Sequence, residues 1–336
     1  MRRPLSGLIA TSLLVSVAVL AGIVGACTGD DPVLHASPVG DGGSTGDVDE
    51  VGMHSGDRPC DPTKDFDPPI PVGGLATTEY AESAARFSPD ERVAYFTRID
   101  SVDASPDFPS NLYTASRASA TLAFDAPRLV MELSEADGLD DSPTVTADGA
   151  GFFFTRRTIP GGVYKSTGKH SPFASAELLP ALSNVYGDSG TARFLSPYVL
   201  PDGSALYIAK QTSEAGQGGI HRAARGSGAY DDLQAVNGLG GNPDQDDNPV
   251  VTADELTLYW ASVRGATATR DIYVATRADA KSPFTGVRRI DSLSTMARDE
   301  RPTFVSADGC RLYFSSSTRP IEPGSASDIF VATKPK

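Results

Sequence analysis

An aspartate returns at positions 90, 148, 202, 254 and 308. Each closes the same short element: Phe87-Ser88-Pro89-Asp90, Val145-Thr146-Ala147-Asp148, Val199-Leu200-Pro201-Asp202, Val251-Thr252-Ala253-Asp254 and Val305-Ser306-Ala307-Asp308. The spacings of 58, 54, 52 and 54 residues are those of propeller blades or solenoid units, not of separate domains. Five residues after each aspartate stand Tyr95, Phe153, Tyr207, Tyr259 and Tyr313, and six after stand Phe96, Phe154, Ile208, Trp260 and Phe314. Neighbouring residues on a strand face opposite ways. Large side chains in both columns therefore predict a strand buried on both sides, as between two packed blades.

The rest of each repeat reads as an antiparallel meander. Asp148-Gly149, Asp202-Gly203 and Asp308-Gly309 are tight-turn signals because both residues tolerate positive φ. Glu91 and Glu255 replace the glycine in the first and fourth repeats, where a different turn is expected. A third strand ends at Tyr113, Tyr164, His221, Tyr273 and Phe330. A weaker fourth is read at Arg128–Met131, Glu177–Leu179, Leu233–Val236 and Val287–Ile290. The fifth repeat has no fourth strand, while the segment from Ile70 to Leu75 stands unused before the first. Pairing the two would close the ring and protect its edges. Pro71 is acceptable there because an outermost strand has one unpaired side. The expected fold is an all-β, five-bladed β-propeller of four-stranded antiparallel blades spanning residues 67–336, with the outer strand of the last blade supplied by the N-terminal segment. Six blades is the alternative.

The segments FSPDERVAYF, NLYTASR, VLPDGSALYI and VSADGCRLYF resemble the WD-like β-propeller repeat family, found in the C-terminal domain of TolB and in many exported bacterial proteins. The resemblance covers about residues 68 to 336 and implies the fold. TolB-type propellers have six blades where five are countable here, and the family's functions are too various to name one.

Ahead of the repeats, Met1-Arg2-Arg3 precedes an uncharged apolar stretch from Leu8 to Val24, and Val24-Gly25-Ala26 leads to Cys27. This resembles a bacterial lipoprotein signal, residues 1–26, which implies Cys27 as an acylated first residue and a membrane partner through its lipid. Thr28 in place of an aspartate leans toward the outer membrane, with the domain periplasmic or surface-exposed. Residues 27–66, rich in Gly, Asp, Ser and Pro, have too little apolar area to order themselves and read as a flexible tether. Cys60 and Cys310 then form an even pair for an oxidising compartment. With the ring closed as above, the turn holding Cys310 lies at the end where the N-terminal strand begins, which places Cys60 within reach for a disulfide; two free thiols is the other reading.

The acidic balance, 43 Asp plus Glu against 29 Lys plus Arg for a net charge of −14, argues against a nucleic-acid partner, which needs basic residues gathered on one face. Gly187-Asp188-Ser189-Gly190 matches a protease nucleophile loop, but none of His35, His54, His170 and His221 has the flanking residues of a triad base. Gly168-Lys169-His170 lacks the earlier glycine and the Ser or Thr of a phosphate loop. His221 fills an aromatic column and is read as packing. Asp141, Asp247 and Glu300 each precede by two residues a proline on the innermost strand, Pro143, Pro249 and Pro302, which would place all three at one mouth of the central channel. Asp140, Asp246 and Asp299 adjoin them. Acids there can simply form turns. A ring of carboxylates could instead bind a cation such as calcium or a polyol, and paired carboxylates at the right separation serve glycoside hydrolysis. The expectation is a binding or scaffolding module for a protein or cell-envelope glycan, without catalysis or a required cofactor. The alternative is a carbohydrate-active hydrolase using the channel-mouth carboxylates.

Overall fold

The computed structural model describes residues 59–99, 109–135, 138–168, 172–185, 191–226, 229–264, 269–318 and 327–336. These form five four-stranded antiparallel sheets, the blades of a propeller. The first strand among the described residues is the short β1 (Ile70–Pro71). Blade 1 holds β2 (Ala81–Phe87), β3 (Val93–Ile99), β4 (Ser110–Ser116) and β5 (Arg128–Leu129). Blade 2 holds β6 (Asp140–Val145), β7 (Gly151–Arg156), β8 (Gly162–Thr167) and β9 (Glu177–Ser183). Blade 3 holds β10 (Ala192–Val199), β11 (Ala205–Thr212), β12 (Gly219–Ala224) and β13 (Asp232–Ala235). Blade 4 holds β14 (Asp246–Val251), β15 (Thr257–Ser262), β16 (Asp271–Thr276) and β17 (Thr285–Arg289). Blade 5 holds β18 (Arg298–Val305), β19 (Arg311–Thr318) and β20 (Asp328–Thr333), and β1 completes it through the pairs Ile70↔Val331 and Pro71↔Phe330.

The repeated residues explain the repeated shape. The turn aspartate accepts from the hydroxyl two residues before it in four blades: Ser88 at 2.6 Å, Thr146 at 2.7 Å, Thr252 at 2.5 Å and Ser306 at 2.5 Å. In blade 3, where Leu200 offers no hydroxyl, Asp202 accepts from the Ser204 N–H at 2.9 Å. None of the ten residues in the two second-strand columns is more than 3% exposed, which confirms burial on both faces. The outer column stacks on the third strand of its own blade, with Phe154 5.7 Å from Tyr164, Trp260 5.8 Å from Tyr273 and Phe314 5.7 Å from Phe330.

Glu91 and Glu255 do not change their turns. They adopt φ of 56° and 59°, the conformation of Gly149, Gly203 and Gly309 at the matching positions. A side chain there carries a steric cost, and both carboxylates are put to use. Glu91 accepts from Arg311 of blade 5 at 2.6 Å and from the Tyr313 hydroxyl, while Arg117 of its own blade donates to the Glu91 carbonyl at 2.7 Å. Glu255 repeats the arrangement between blades 4 and 3, accepting from Tyr207 at 2.6 Å and Arg222 at 2.6 Å, with Arg277 donating to its carbonyl at 2.6 Å. Each clasp ties the first turn of one blade to the blade before it, at the second strand and, for Glu255, at the third as well.

The Glu91 clasp lies at the closure of the ring, where further ties meet. Cys60 and Cys310 are disulfide-bonded with Cα atoms 5.7 Å apart. The Asp67 N–H donates to the Thr333 carbonyl at 2.9 Å, and the Val72 N–H to the Ile329 carbonyl at 2.9 Å. Composition places Phe66 at the end of a flexible tether, yet it is buried with its ring 6.2 Å from that of Tyr259. Packing on the ring therefore begins by Cys60. Cys27, and with it the signal and most of the tether, lies outside the described residues, as do Gly187–Gly190, His35, His54 and His170.

Candidate functional site

Each innermost strand carries a β-bulge five to six residues before its turn aspartate, and this bulge shapes what faces the channel. In four blades the bulge residue has positive φ: Ala84 at 53°, Ser142 at 55°, Ser196 at 52° and Asn248 at 49°. Blade 5 has Pro302 at that position, whose ring excludes positive φ, so its strand bulges one residue later, between Pro302 and Phe304. Counting back from the prolines therefore misplaces one acid. Pro143 and Pro249 follow the bulge residue, whereas Pro302 occupies its place. Asp141 pairs with Thr155 and Asp247 with Ala261, and the residue in their register in blade 5 is Arg301, paired with Ser315. Glu300 falls in the preceding column with Asp140 and Asp246, and a one-residue slip turns a strand residue to the other face.

The structure thus brings Asp141 and Asp247 together on one cavity of about 300 Å³ and leaves Glu300 out of it. Glu300 lines a separate cavity and accepts from the Thr295 hydroxyl at 2.8 Å. Burial, only partly offset by the Thr295 hydrogen bonds, pushes its carboxyl up to about 7. Glu82 is its counterpart in blade 1, buried against Thr77 and also raised to about 7. Asp140 and Asp246 face guanidinium groups, Arg156 at 2.7 Å and Arg264 respectively; burial nonetheless holds both carboxyls above the usual range.

The mouth is not a ring of acids. Arg157, Arg270 and Arg301 line it beside the two aspartates. Asp141 accepts from the Thr97 hydroxyl at 2.9 Å and the Ser142 N–H at 2.6 Å. Asp247 accepts from Arg270 Nε at 2.6 Å, and the neighbouring Asp299 accepts from the Arg270 N–H at 2.8 Å and from Arg301 at 3.1 Å. A calcium ion does not fit such a set, since its guanidinium groups repel a cation where six to eight oxygens are wanted. Among the described residues no group of three or more His, Cys, Asp or Glu could hold a metal.

Three buried polar atoms on this cavity have no hydrogen-bond partner: Asp247 Oδ1, Arg157 Nε and Thr155 Oγ1. Buried polar groups are satisfied as a rule, so unsatisfied ones call for an explanation. Here the set comprises an acceptor, a donor and a hydroxyl that does both. The opposite end of the channel differs, with a smaller cavity of about 170 Å³ that opens among the blade turns and contains Arg86. Sequence reasoning passed over Arg86, although its column otherwise holds Thr144, Tyr198, Val250 and Phe304, and a lone charge in an inward-facing column is a visible signal. His221 is buried with Nδ1 3.1 Å from the Gly219 carbonyl, and burial lowers its pKa.

No family model matches the chain, and no curated protein matches it. Solved structures do. The α-L-arabinofuranosidase of Podospora anserina, solved with cellotriose, is similar with a TM-score of 0.51 at 9% identity over 81% of this chain and 97% of that one. A family 117 glycoside hydrolase of Zobellia galactanivorans is similar with a TM-score of 0.51 at 9% identity, over 80% and 90%. TolB of Acinetobacter baumannii reaches a TM-score of 0.45 at 13% identity over 74% of this chain, which spans only 53% of that protein. Such identities establish the propeller fold and do not place the chain with TolB.

Two expectations are corrected. The reading of a binding or scaffolding module without catalysis gives way as the favoured one, because glycoside hydrolases are among the proteins that share this architecture over about 80% of the chain. The membrane partner through a lipid is likewise without support in the described domain, and Cys27 itself lies outside it. The two cysteines of the described domain are bonded to each other, so neither offers a lipidation site. No helix among the described residues is long and apolar enough to cross a membrane.

Proposed function

We propose that the protein is a carbohydrate-active hydrolase whose substrate binds at the polar mouth of the channel, with Asp141 and Asp247 as the reacting pair. The observation that carries this reading is the unsatisfied set of Asp247 Oδ1, Arg157 Nε and Thr155 Oγ1 on one cavity. Sugar hydroxyls each donate and accept, so a polyol satisfies all three together, which neither a cation nor an apolar ligand does. The glycoside hydrolases of like architecture support the chemistry by analogy of fold.

The two carboxylates come from blades 2 and 4, with β10 of blade 3 between them, so a glycosidic bond placed in the cavity lies between two acids rather than beside one. One carboxyl group is to protonate the leaving oxygen and the other to act on the opposite face of the sugar. Arg157, Arg270 and Arg301 favour a glycan with acidic substituents. The disulfide supports work outside the reducing cytosol, since such bonds persist in oxidising compartments. The test is release of reducing ends from neutral and uronic-acid-containing polysaccharides by wild type, Asp141→Asn and Asp247→Asn. The reading expects turnover that falls at least about 100-fold in each variant. Turnover unaffected by both substitutions would refute the assignment of the pair.

A further inference from the structure

At the turn end of the channel, Arg86 extends from blade 1 across the axis to blade 3. Its guanidinium lies 5.0 Å from the centre of the Tyr198 ring, and Nη2 donates to the Pro197 carbonyl at a long 3.4 Å. Only 2% of the residue is exposed, and Nε and Nη1 have no hydrogen-bond partner. The other buried arginines of the described domain are treated differently. Arg117 lies 3.9 Å from the Glu91 carboxylate and Arg156 lies 2.7 Å from that of Asp140. Among the described residues Arg86 has no carboxylate within salt-bridge distance, and Asp141 acts on it only from farther away. A buried charge without a counter-ion is strongly unfavourable, and burial accordingly lowers its pKa to about 10, which still leaves it protonated at neutral pH.

The cavity around Arg86 has the form of a funnel. Its rim is made by the exposed residues Pro89, Ala147, Ala253 and Ala307 from the blade turns, and its walls are Phe87, Val145, Val199 and Phe304. Thr144 at its inner end already spends its hydroxyl on the Val199 N–H at 3.2 Å. An apolar funnel with one cationic group at its base matches a ligand with one anionic head and a short apolar tail. An inorganic anion would leave the walls unused, and a polyol would find too few partners there. The site lies at the opposite end of the channel from the mouth and shares no lining residue with it.

We propose that this cavity is a binding site for a small monocarboxylate with a short aliphatic or aromatic tail, its carboxylate paired with Arg86 and its tail against Phe87, Val199 and Phe304. Binding supplies the missing counter-ion and is expected to rigidify the ring from its axis.

The test uses benzoate and butyrate as probes, with benzamide and butyramide as neutral counterparts and chloride as the inorganic control. Titration calorimetry and thermal unfolding of the full chain, at constant ionic strength, should show saturable binding of a carboxylate. At 100 times the dissociation constant the transition corresponds to a roughly 100-fold shift in the folding equilibrium. The amides should produce no shift, and Arg86→Met should abolish the effect. Saturation-transfer NMR on wild type, comparing benzoate with benzamide, gives the same answer without a variant and keeps the test decisive if Arg86→Met does not fold. Absence of carboxylate binding, equal binding of acid and amide, or an equal effect of chloride would each overturn the proposal.

Discussion

Replacing Glu91 with glycine sets two effects against each other at the closure of the ring. Glycine is what three of the five repeats carry at this position, and at φ of 56° it removes the steric cost of a side chain, about 1 kcal/mol. It also enlarges the conformational freedom of the unfolded chain, which takes back about 0.7 kcal/mol. The backbone effects therefore nearly cancel, and what remains is the clasp. Loss of the carboxylate leaves the Tyr313 hydroxyl and the buried Arg117 without their acidic partner and frees the half-buried Arg311. Removing one member of a buried ion pair costs about 3 to 5 kcal/mol, and the lower end applies because Arg311 retains access to water. The expected result is a net loss of about 3 kcal/mol, read by urea denaturation at pH 7 as a midpoint lower by about 1 M for a slope near 3 kcal/mol/M. Glu91→Gln, which keeps an acceptor but no charge, should fall between. A Glu91→Gly variant as stable as wild type, or more so, would show that the strained glutamate contributes nothing to closure.

Other consequences can be checked in the same protein. Glu82 and Glu300 are raised to about 7 from an ordinary 4.5, so the folded state binds more protons than the unfolded one between those values. Stability should therefore decline as pH rises from about 4.5 to 7, by up to ~3 kcal/mol per group, and Glu300→Gln should flatten that decline in pH-dependent thermal unfolding. Glu255 behaves in the opposite sense: burial pushes its carboxyl up, but hydrogen bonds from Arg222 and Tyr207 outweigh this and hold it below 4.5. Its contribution is present above 4.5 and lost on further acidification, so Glu255→Gln should reduce stability at pH 7 and narrow the gap to wild type near pH 3. Cutting the disulfide by Cys310→Ser opens a loop of 250 residues, for which loop entropy gives a loss of about 5 kcal/mol; an unchanged melting temperature would mean that β1 and the Glu91 clasp close the ring without it.

The ring was readable because its determinants repeat. Five aspartate turns and two aromatic columns impose one strand pattern, and a missing fourth strand at one end matches an unused segment at the other. The candidate site was legible only in part, since it depends on a bulge. Asp141 and Asp247 stand one residue before a positive-φ bulge residue and line the mouth, whereas Pro302 itself takes the bulge residue's place, so the acid two residues before it, Glu300, falls in the neighbouring column. Counting from the turn aspartates rather than from the prolines would have kept the register. The clasps were hidden for another reason. Glu91 and Glu255 resemble poor glycine substitutes until their partners, more than 200 residues away in the case of Tyr313, arrive in space. Arg86 stood out by its column, but that its guanidinium lacks an acid became visible only once the five strands converged.

The most direct test of the central claim follows hydrolysis of a uronic-acid-containing glycan by NMR, with wild type and the double variant Asp141→Asn/Asp247→Asn compared at equal folded concentration. The account predicts that wild type releases product and that the double variant binds the glycan at the polar mouth without cleaving it. Cleavage by the double variant at the wild-type rate, or a glycan that neither binds nor reacts across a broad panel, would contradict it.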